Sequence, residues 1–384
     1  MNNTYDIAIV GAGASGLAAA ITAARAGASV LVLERMPRAG KKILVTGNGR
    51  CNLSNLHAAT HEYHNKHFAV PALQAFGTAE CKAFFDSLGL ALQADAESRI
   101  YPRSNTASSV LDALRFGAQR AGVEFRCDSP VTQVQVKPGS FVLSESVHAK
   151  RVIIAAGGCA APAQGSDGSG FALLRSLGHR IVEPKPALVQ IRCDSPLLGM
   201  LKGQRVRAAL TLEYDEKILC SSEGEVLFTD DGLSGIAAME LSRDARAGCV
   251  VALDLLPEYS HAELAALLSA WCAACPDYTP AQLLGGLLPK RVAEAVVKSG
   301  GEAKRFAFPV VGTRGFAHAQ VTAGGADMRE FNPQDLQSRL VPGLYACGEV
   351  LDVDGGCGGF NLHWAWASGI LSASSIVCYE GKLA

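Results

Sequence analysis

The residues Tyr5 to Glu34, YDIAIVGAGASGLAAAITAARAGASVLVLE, constrain this chain more than any other stretch. The apolar run Ile7-Ala8-Ile9-Val10 predicts a buried parallel strand. Gly11, Gly13 and Gly16 follow in G-x-G-x-x-G spacing, Ser15 to Ala26 is Ala-rich and predicts a helix, and Val30 to Leu33 predicts a second buried strand. In such a strand–turn–helix the first glycine allows the tight turn and the second lets a pyrophosphate approach the backbone. The third lets helix and strand pack closely. The helix start offers free N–H groups and the positive end of a dipole. Glu34 falls about 20 residues beyond the glycines, where a carboxylate can accept from a ribose hydroxyl. An ordinary strand-to-helix turn leaves Glu34 unexplained, so the stretch is read as a dinucleotide site.

The chain has 384 residues, more than one ordinary domain, and 49% of them are hydrophobic, ample for a large core. A net charge of −1 and the lack of a basic run give no electrostatic footprint for nucleic acid or an anionic membrane. No apolar stretch reaches transmembrane length. The first strand begins by residue 5, which leaves no room for a signal peptide and gives a cytoplasmic expectation. The 12 cysteines show no paired framework. Cys272 and Cys275 have C-x-x-C spacing, but HAELAALLSAWCAAC reads as the interior of one amphipathic helix, and no second pair stands at zinc spacing. No metal site is expected.

Residues 35–55, RMPRAGKKILVTGNGRCNLSN, are rich in Gly, Asn and cations and suit a loop pressed against a ligand. Residues 71–92 predict a helix, and Arg99, Tyr101 and Arg103 lead into another that starts near Ser104 to Ser109. Short antiparallel strands then precede Val152-Ile153-Ile154-Ala155-Ala156, which ends in Gly157-Gly158 and predicts the return of the chain to the dinucleotide sheet. The cluster Gly165 to Gly170 precedes a helix over 170–177. It is not a second fingerprint, since no apolar strand leads into it. Pro184-Lys185-Pro186 marks a boundary. Beyond it VQIRC, RVRAALTLEY, KILCSSEGEVLFT and VVALDLL predict strands, while 260–274 and 280–299 predict helices. From 321 the glycine-rich character returns, with a short strand at Leu344 to Cys347 and a final helix over 360–378. The expectation is an α/β fold with a discontinuous dinucleotide domain, 1–186 and 321–384, interrupted by a mixed β/α insert at 187–320.

These segments carry a family resemblance. KKILVTGNGRCNLSN, RIYPRSNTASSVLDAL, GEVLFTDDGLSG, QVTAGG and GEVLDVDGGCGGFNLHWAWASG, with the N-terminal fingerprint, resemble the BaiN/aminoacetone-oxidase-like family of FAD-dependent oxidoreductases over nearly the whole chain. The resemblance implies a two-dinucleotide-fold flavoprotein domain with non-covalent FAD. It implies that Gly11, Gly13, Ala14, Ser15 and Gly16 hold the pyrophosphate, Glu34 the adenosine ribose, and Val131 the adenine through its backbone. Arg35 and Lys42 join the cofactor set, and Ala156 and Gly157 line the cofactor. Asn48, Gly49, Arg50, Cys51 and Asn52 edge the flavin, and Gly348, Glu349 and Asp352 reach the ribityl and pyrophosphate. Gly359, Phe360 and Asn361 start the last helix, whose dipole would face the pyrimidine end of the ring, where negative charge collects on reduction. The family usually has His at Asp230 and Pro at Ile236, and often Gln at His363.

Flavin chemistry is hydride transfer at N5, and the protein supplies a proton donor and a group that polarises the acceptor. The polar candidates are Arg50, His363 and Tyr101, with Arg99 and Arg103 beside them. The reaction expected is reduction of a conjugated C=C in a small apolar, steroid-like substrate, with the insert roofing the flavin. NADH or NADPH would visit the flavin directly, since there is no second fingerprint. An oxygen-dependent amine oxidase and a non-catalytic redox sensor are the alternatives, and an RNA-modifying flavoenzyme is disfavoured by the missing basic patch. The sequence sets no oligomeric state.

Overall fold

The structure, a computed structural model, describes residues 4–144, 146–379 and 381. The chain divides into two compact units, Met1–Lys185 with Gln320–Ala384, and Pro186–Ala319. In chain order the first unit opens with β1 (Thr4–Val10), α1 (Ala14–Arg25), β2 (Val30–Leu33) and β3 (Ser54–Asn55). Next come α2 (Lys66–Ala75), α3 (Thr78–Asp86), β4 (Leu92–Ala94), β5 (Arg99–Pro102), α4 (Ala107–Arg120) and β6 (Glu124–Arg126). This part closes with β7 (Val134–Lys137), β8 (Ser140–Leu143), β9 (Val147–Ile154), α5 (Ser169–Ser176) and β10 (Ile181–Ala187). The second unit holds β11 (Ile191–Cys193), α6 (Leu198–Leu201), β12 (Arg205–Tyr214), β13 (Lys217–Phe228), β14 (Gly232–Ser234), α7 (Ile236–Glu240) and β15 (Val250–Asp254). It continues through α8 (His261–Ala274), α9 (Pro280–Leu284), α10 (Lys290–Ser299) and β16 (Phe306–Thr313). The chain returns to the first unit with β17 (Val321–Ala326), β18 (Leu344–Ala346) and α11 (Phe360–Tyr379).

The first unit is built on a seven-stranded sheet of order β6-β2-β1-β9-β8-β7, with β18 also on β9. β1 pairs in parallel with β2 and with β9, Ile9 standing opposite Val32 and Ile153. Ile7, Ile9, Leu31, Val32, Ile153 and Ile154 are fully buried, as continuous apolar runs in a parallel sheet covered on both faces must be. β7, β8 and β9 form the expected antiparallel meander. β18 pairs in parallel with β9, which puts the C-terminal motif beside the fingerprint. Glycine then lets backbones touch. A Cβ on Gly16 would lie 2.0 Å from Gly11 O, and one on Gly369 would lie 2.3 Å from Ser15 O, so α1 is squeezed between the end of β1 and α11. This close packing matches the role assigned to the third fingerprint glycine.

Three expectations change in detail. The helix predicted over 71–92 is two, α2 and α3, broken at Phe76-Gly77, where Gly77 takes the N-cap position of α3. The helix predicted over 280–299 is likewise α9 and α10, interrupted at Gly285-Gly286 and Pro289. The helix carrying Cys272 is real, but Leu264 is its one buried residue, so α8 is far more exposed than an amphipathic reading implies.

The second unit is more regular than a mixed β/α insert suggests: β11-β14-β13-β12-β15-β16 close into a barrel. Val206, Ala208, Leu210 and Leu212 of β12 alternate inward with Phe306, Phe308 and Val310 of β16. The closing strand β16 contains Pro309, a residue that argues against a central strand in sequence. It is tolerated beside the irregular register at Arg192/Cys193 of β11.

Candidate functional site

The fingerprint turn is fixed by close backbone contacts. Gly11 has φ +104°, a conformation that favours glycine, and a Cβ there would meet Ala155 O at 2.5 Å. A Cβ on Gly13 would meet no protein atom within 4 Å, and α1 has no side-chain cap. Protein packing therefore accounts for Gly11 and Gly16 but not for Gly13. The uncapped helix start leaves its N–H groups to an anion. Gly348 has φ +76°, and a Cβ there would strike Ser15 Oγ at 2.5 Å, so the Cys347-Gly348-Glu349 segment closes on the same turn.

Around this centre the side chains form a linked set. Glu34 is buried, its Oε2 accepting from Ala12 N and its Oε1 from Met36 N, each at 2.8 Å. A carboxylate has about four lone-pair sites, so acceptor capacity remains for a ribose hydroxyl. Lys42 Nζ pairs with Glu349 Oε2 at 2.7 Å, and Glu349 Oε1 accepts from Thr322 N at 2.8 Å. Thr322 Oγ1 accepts from Cys159 N (2.8 Å) and Ala160 N (3.0 Å), tying the Gly157-Gly158 turn to β17. At Gly157, with φ +71°, a Cβ would approach Ser166 Oγ to 2.9 Å. Ala156 stands beside Gly170, and Val131 is buried in the segment after β6. Arg35 pairs with Asp167, so its charge is directed to the 165–170 glycine cluster. Asp352 is buried, with Oδ1 accepting from Gly324 N at 3.0 Å and Oδ2 from Asn65 Nδ2 at 3.2 Å.

The loop at residues 46–52 is a second node. Gly47, Asn48, Gly49 and Cys51 all have positive φ, between +54° and +81°. Asn48 and Gly49 are exposed. Asn52, oriented with its amide nitrogen toward Ser54 O (3.0 Å), accepts from Gly359 N at 3.1 Å and binds this loop to the start of α11. Gly359 requires its glycine, since at φ +96° a Cβ would lie 2.3 Å from Ser54 O. Asn361 Oδ1 accepts from Gly355 N (2.9 Å) and its Nδ2 donates to Gly355 O (2.7 Å), closing the glycine turn before α11. Cys51 is fully buried and its thiol is pushed up to about 12 by burial, so it is no nucleophile.

Among the catalytic candidates, Arg50 and Tyr101 are together. The Arg50 guanidinium carbon lies 4.7 Å from the Tyr101 ring centroid, and Nη2 donates to Tyr101 Oη at 3.5 Å. Arg50 is half-buried, and among the described residues it is paired with the Tyr101 ring and hydroxyl and with no carboxylate. Arg99 is committed to Asp95 (2.8 Å) and to Glu97, and Arg103 is exposed and donates to Gln93 Oε1 at 3.3 Å. Asp230, in the second unit, is exposed and pairs with Lys202 (3.3 Å) and Arg314 (3.6 Å), while Ile236 is exposed at the start of α7.

His363 does not take the catalytic place expected of it. Its exposure is 0%, Nε2 donates to Phe76 O at 2.9 Å, and Nδ1 accepts from Ser54 Oγ at 2.8 Å. Burial pushes its pKa down to about 4, and both nitrogens serve the fold. It is a core histidine, not a proton donor to substrate. Sequence reasoning missed a group that the structure brings to α11: His61, Tyr63, His64 and Asn65. Their signal is the polar, histidine-rich run HEYHN in a stretch that predicts no element.

A profile of the family described as HI0933-like protein Rossmann domain matches residues 5–375. A 3-dehydro-bile acid delta(4,6)-reductase from Clostridium scindens is 36% identical over 399 residues, covering 95% of this chain and 97% of the relative. A ribosomal RNA dihydrouridine synthase from Escherichia coli is 29% identical, covering 98% and 99%. Among solved structures, the 3-ketosteroid Δ1-dehydrogenase of Sterolibacterium denitrificans aligns with a TM-score of 0.52 at 13% identity, covering 98% of this chain and all of that one. The 3-ketosteroid-Δ4-(5α)-dehydrogenase of Rhodococcus jostii RHA1 gives 0.51 at 17% identity, covering 98% and 97%. The fold is that of an FAD-binding Rossmann-like flavoenzyme, as the motifs led one to expect, and the chain is an FAD-dependent oxidoreductase.

The two fingerprint glycines should respond differently to a methyl group. Gly16→Ala is expected to destabilise the protein by about 1–3 kcal/mol through overpacking. Gly13→Ala should leave the melting temperature nearly unchanged and weaken FAD retention, checked by thermal unfolding of apoprotein and by FAD titration. For His363, a folded pKa of about 4 lies below the ordinary 6.5. The unfolded chain then binds more protons between these values, so stability is full above them and is lost as pH falls through that window. His363→Leu should flatten the unfolding free energy between pH 6.5 and 4, measured by denaturant titration.

Proposed function

We propose that this chain, which belongs to the HI0933-like family, reduces a C=C bond conjugated to a carbonyl in a small apolar, steroid-like substrate. The observation that carries the reading is the full-length 36% identity to a bile acid reductase, whose reaction is of this type. The uncommitted Arg50 charge beside Tyr101 supports it, because reduction of an enone puts negative charge on the carbonyl oxygen. Exposed Leu44 (40%) and Val45 (51%), in the same loop as Arg50, supply apolar surface for such a substrate.

FAD, when bound, supplies hydride transfer. The residues that would hold it are those at the uncapped start of α1, with Glu34, Lys42, the Gly157 turn, Gly348, Glu349 and the start of α11. The chain's own contribution is to fix the acceptor carbonyl with Arg50. Tyr101, 5% exposed, holds the guanidinium in place through its ring face and hydroxyl. NADH or NADPH is proposed as a transient donor, and the cytoplasm as the compartment.

The second reading is reduction of a uridine in RNA, favoured by the dihydrouridine synthases of Escherichia coli and Haemophilus influenzae, 29% and 28% identical and each covering 98% of this chain. Its chemistry belongs to the same class, since the uracil C5=C6 bond is conjugated to the C4 carbonyl. The two differ in partner rather than in reaction. A net charge of −1 argues for the small molecule.

The test is anaerobic: FAD-loaded protein is reduced with NADH or NADPH and offered 4-androstene-3,17-dione or a uridine-containing oligoribonucleotide. The expected outcome is flavin reoxidation by the enone. Reoxidation by the RNA alone would replace the first reading with the second. Arg50→Met is expected to keep FAD and to lower turnover by about 10²–10³-fold, as loss of one oxyanion-stabilising donor does. Undiminished turnover would remove Arg50 from the chemistry.

A further inference from the structure

The segment His57–Asn65 clamps the turn that leads into α11. Asn65 Nδ2 donates to Asp352 O at 2.7 Å, His64 N to Asp354 O at 2.8 Å, and Tyr63 Oη to Phe360 O at 3.1 Å. At the centre of this clamp His61 lies flat on Phe360, ring centroids 3.6 Å apart and planes 7° from parallel, with Tyr63 edge-on at 5.2 Å. Gly356 N donates to His61 Nε2 at 3.1 Å. A ring nitrogen that accepts from an amide carries no proton, so the neutral ring is held as the Nδ1–H tautomer.

Three features make this N–H unusual. First, it has no protein partner among the described residues and is not one of their buried unpartnered atoms, so it is open to a ligand. Second, burial of the ring pushes its pKa down to about 4, and the facing charges, Glu62 and Lys66, pair with each other. Third, the ring stacks on Phe360, the first residue of the 20-residue α11, beside the positive end of its dipole, where a further cation is disfavoured. A neutral imidazole held at a helix N-terminus can polarise a carbonyl without carrying charge, as known enzymes show.

We propose that His61, through Nδ1–H, is a neutral hydrogen-bond donor to a carbonyl oxygen that gains negative charge during reduction. The inference rests on the reading of this chain as a flavin-dependent reductase of carbonyl-conjugated C=C bonds. Two sources share that chemistry, the substrate carbonyl and the carbonyls on the pyrimidine ring of FAD, and the experiment separates them.

The test uses FAD-loaded protein. His61→Phe keeps the stack on Phe360 and removes both nitrogens, while His61→Gln can both accept from Gly356 N and donate. Three quantities are measured: the reduction potential of bound FAD without substrate, the affinity for 4-androstene-3,17-dione, and the imidazole ¹⁵N shifts of His61. If the oxygen belongs to FAD, His61→Phe lowers the potential by about 30 mV or more, the equivalent of tenfold for a two-electron couple, at unchanged probe affinity. If it belongs to the substrate, the probe binds at least tenfold more weakly at unchanged potential. His61→Gln recovers most of either loss. The proposal is overturned if His61→Phe changes neither quantity, or if the wild-type ring at pH 7 is imidazolium or the Nε2–H tautomer. Should His61→Phe fail to hold FAD, the wild-type spectrum decides, and an Nδ1 signal unmoved by both FAD and probe overturns it. A wild-type protein that neither binds nor reduces the enone or uridine defeats the C=C reading alone, since the potential and the tautomer still judge His61.

Discussion

The backbone-to-backbone approach at the start of α1 is the constraint on which the first unit depends. Gly16 lets the helix sit against the carbonyl of Gly11, and Gly369 lets α11 sit against the carbonyl of Ser15. With any side chain at either position, α1 would have to move from the β1 end or from α11. Because α11 is fixed at Gly369, nine residues along from its start at Phe360, the position of Phe360 and Asn361 is set by the same contact that positions the fingerprint. Two segments far apart in sequence thereby hold their glycine turns in a single unit.

This also explains which parts were legible in sequence. β1, α1 and β2 follow from an apolar run, three glycines and an alanine-rich helix, all local signals. The end of β9, Val152 to Ile154, and all of β18 were legible because they are buried and apolar, and each is followed within three residues by glycine. The breaks at Phe76-Gly77 and at Gly285-Gly286 were visible as glycine, but periodicity on both sides masked them. The closing of the barrel was not legible. β14 is three residues long, and β16 carries Pro309, so neither passes a local strand test. Their existence depends on pairing with β11, β13 and β15, which no window of sequence contains.

The two histidines near α11 show the same limit at the level of a site. His363 follows the glycine motif directly and looked like the better candidate, yet helical spacing turns it inward onto Ser54 and Phe76 O. His61 lies in an irregular loop without a motif, and its place on Phe360 is decided by a contact spanning about three hundred residues. Proximity to a motif in sequence predicts proximity of backbone. The direction of the side chain is a separate matter, set by which face of the helix is buried.

On the proposed reading, the donors of the first unit suit a reaction that creates an anion. Arg50 carries a permanent charge, made compatible with partial burial by the Tyr101 ring rather than by a carboxylate. A carboxylate partner would neutralise it before any substrate charge developed. The other proposed donor, the imidazole of His61 that accepts from Gly356 N, is neutral in this arrangement. Neutral, preoriented donors interact modestly with an uncharged carbonyl and strongly with an oxyanion. On that reading their stabilisation would be concentrated in the transition state, where it raises turnover, rather than spread over the bound ground state. A second unpaired cation at His61 would bind anions at all stages and would oppose the helix dipole. Holding that ring neutral with an amide from the glycine turn is the arrangement that avoids both effects.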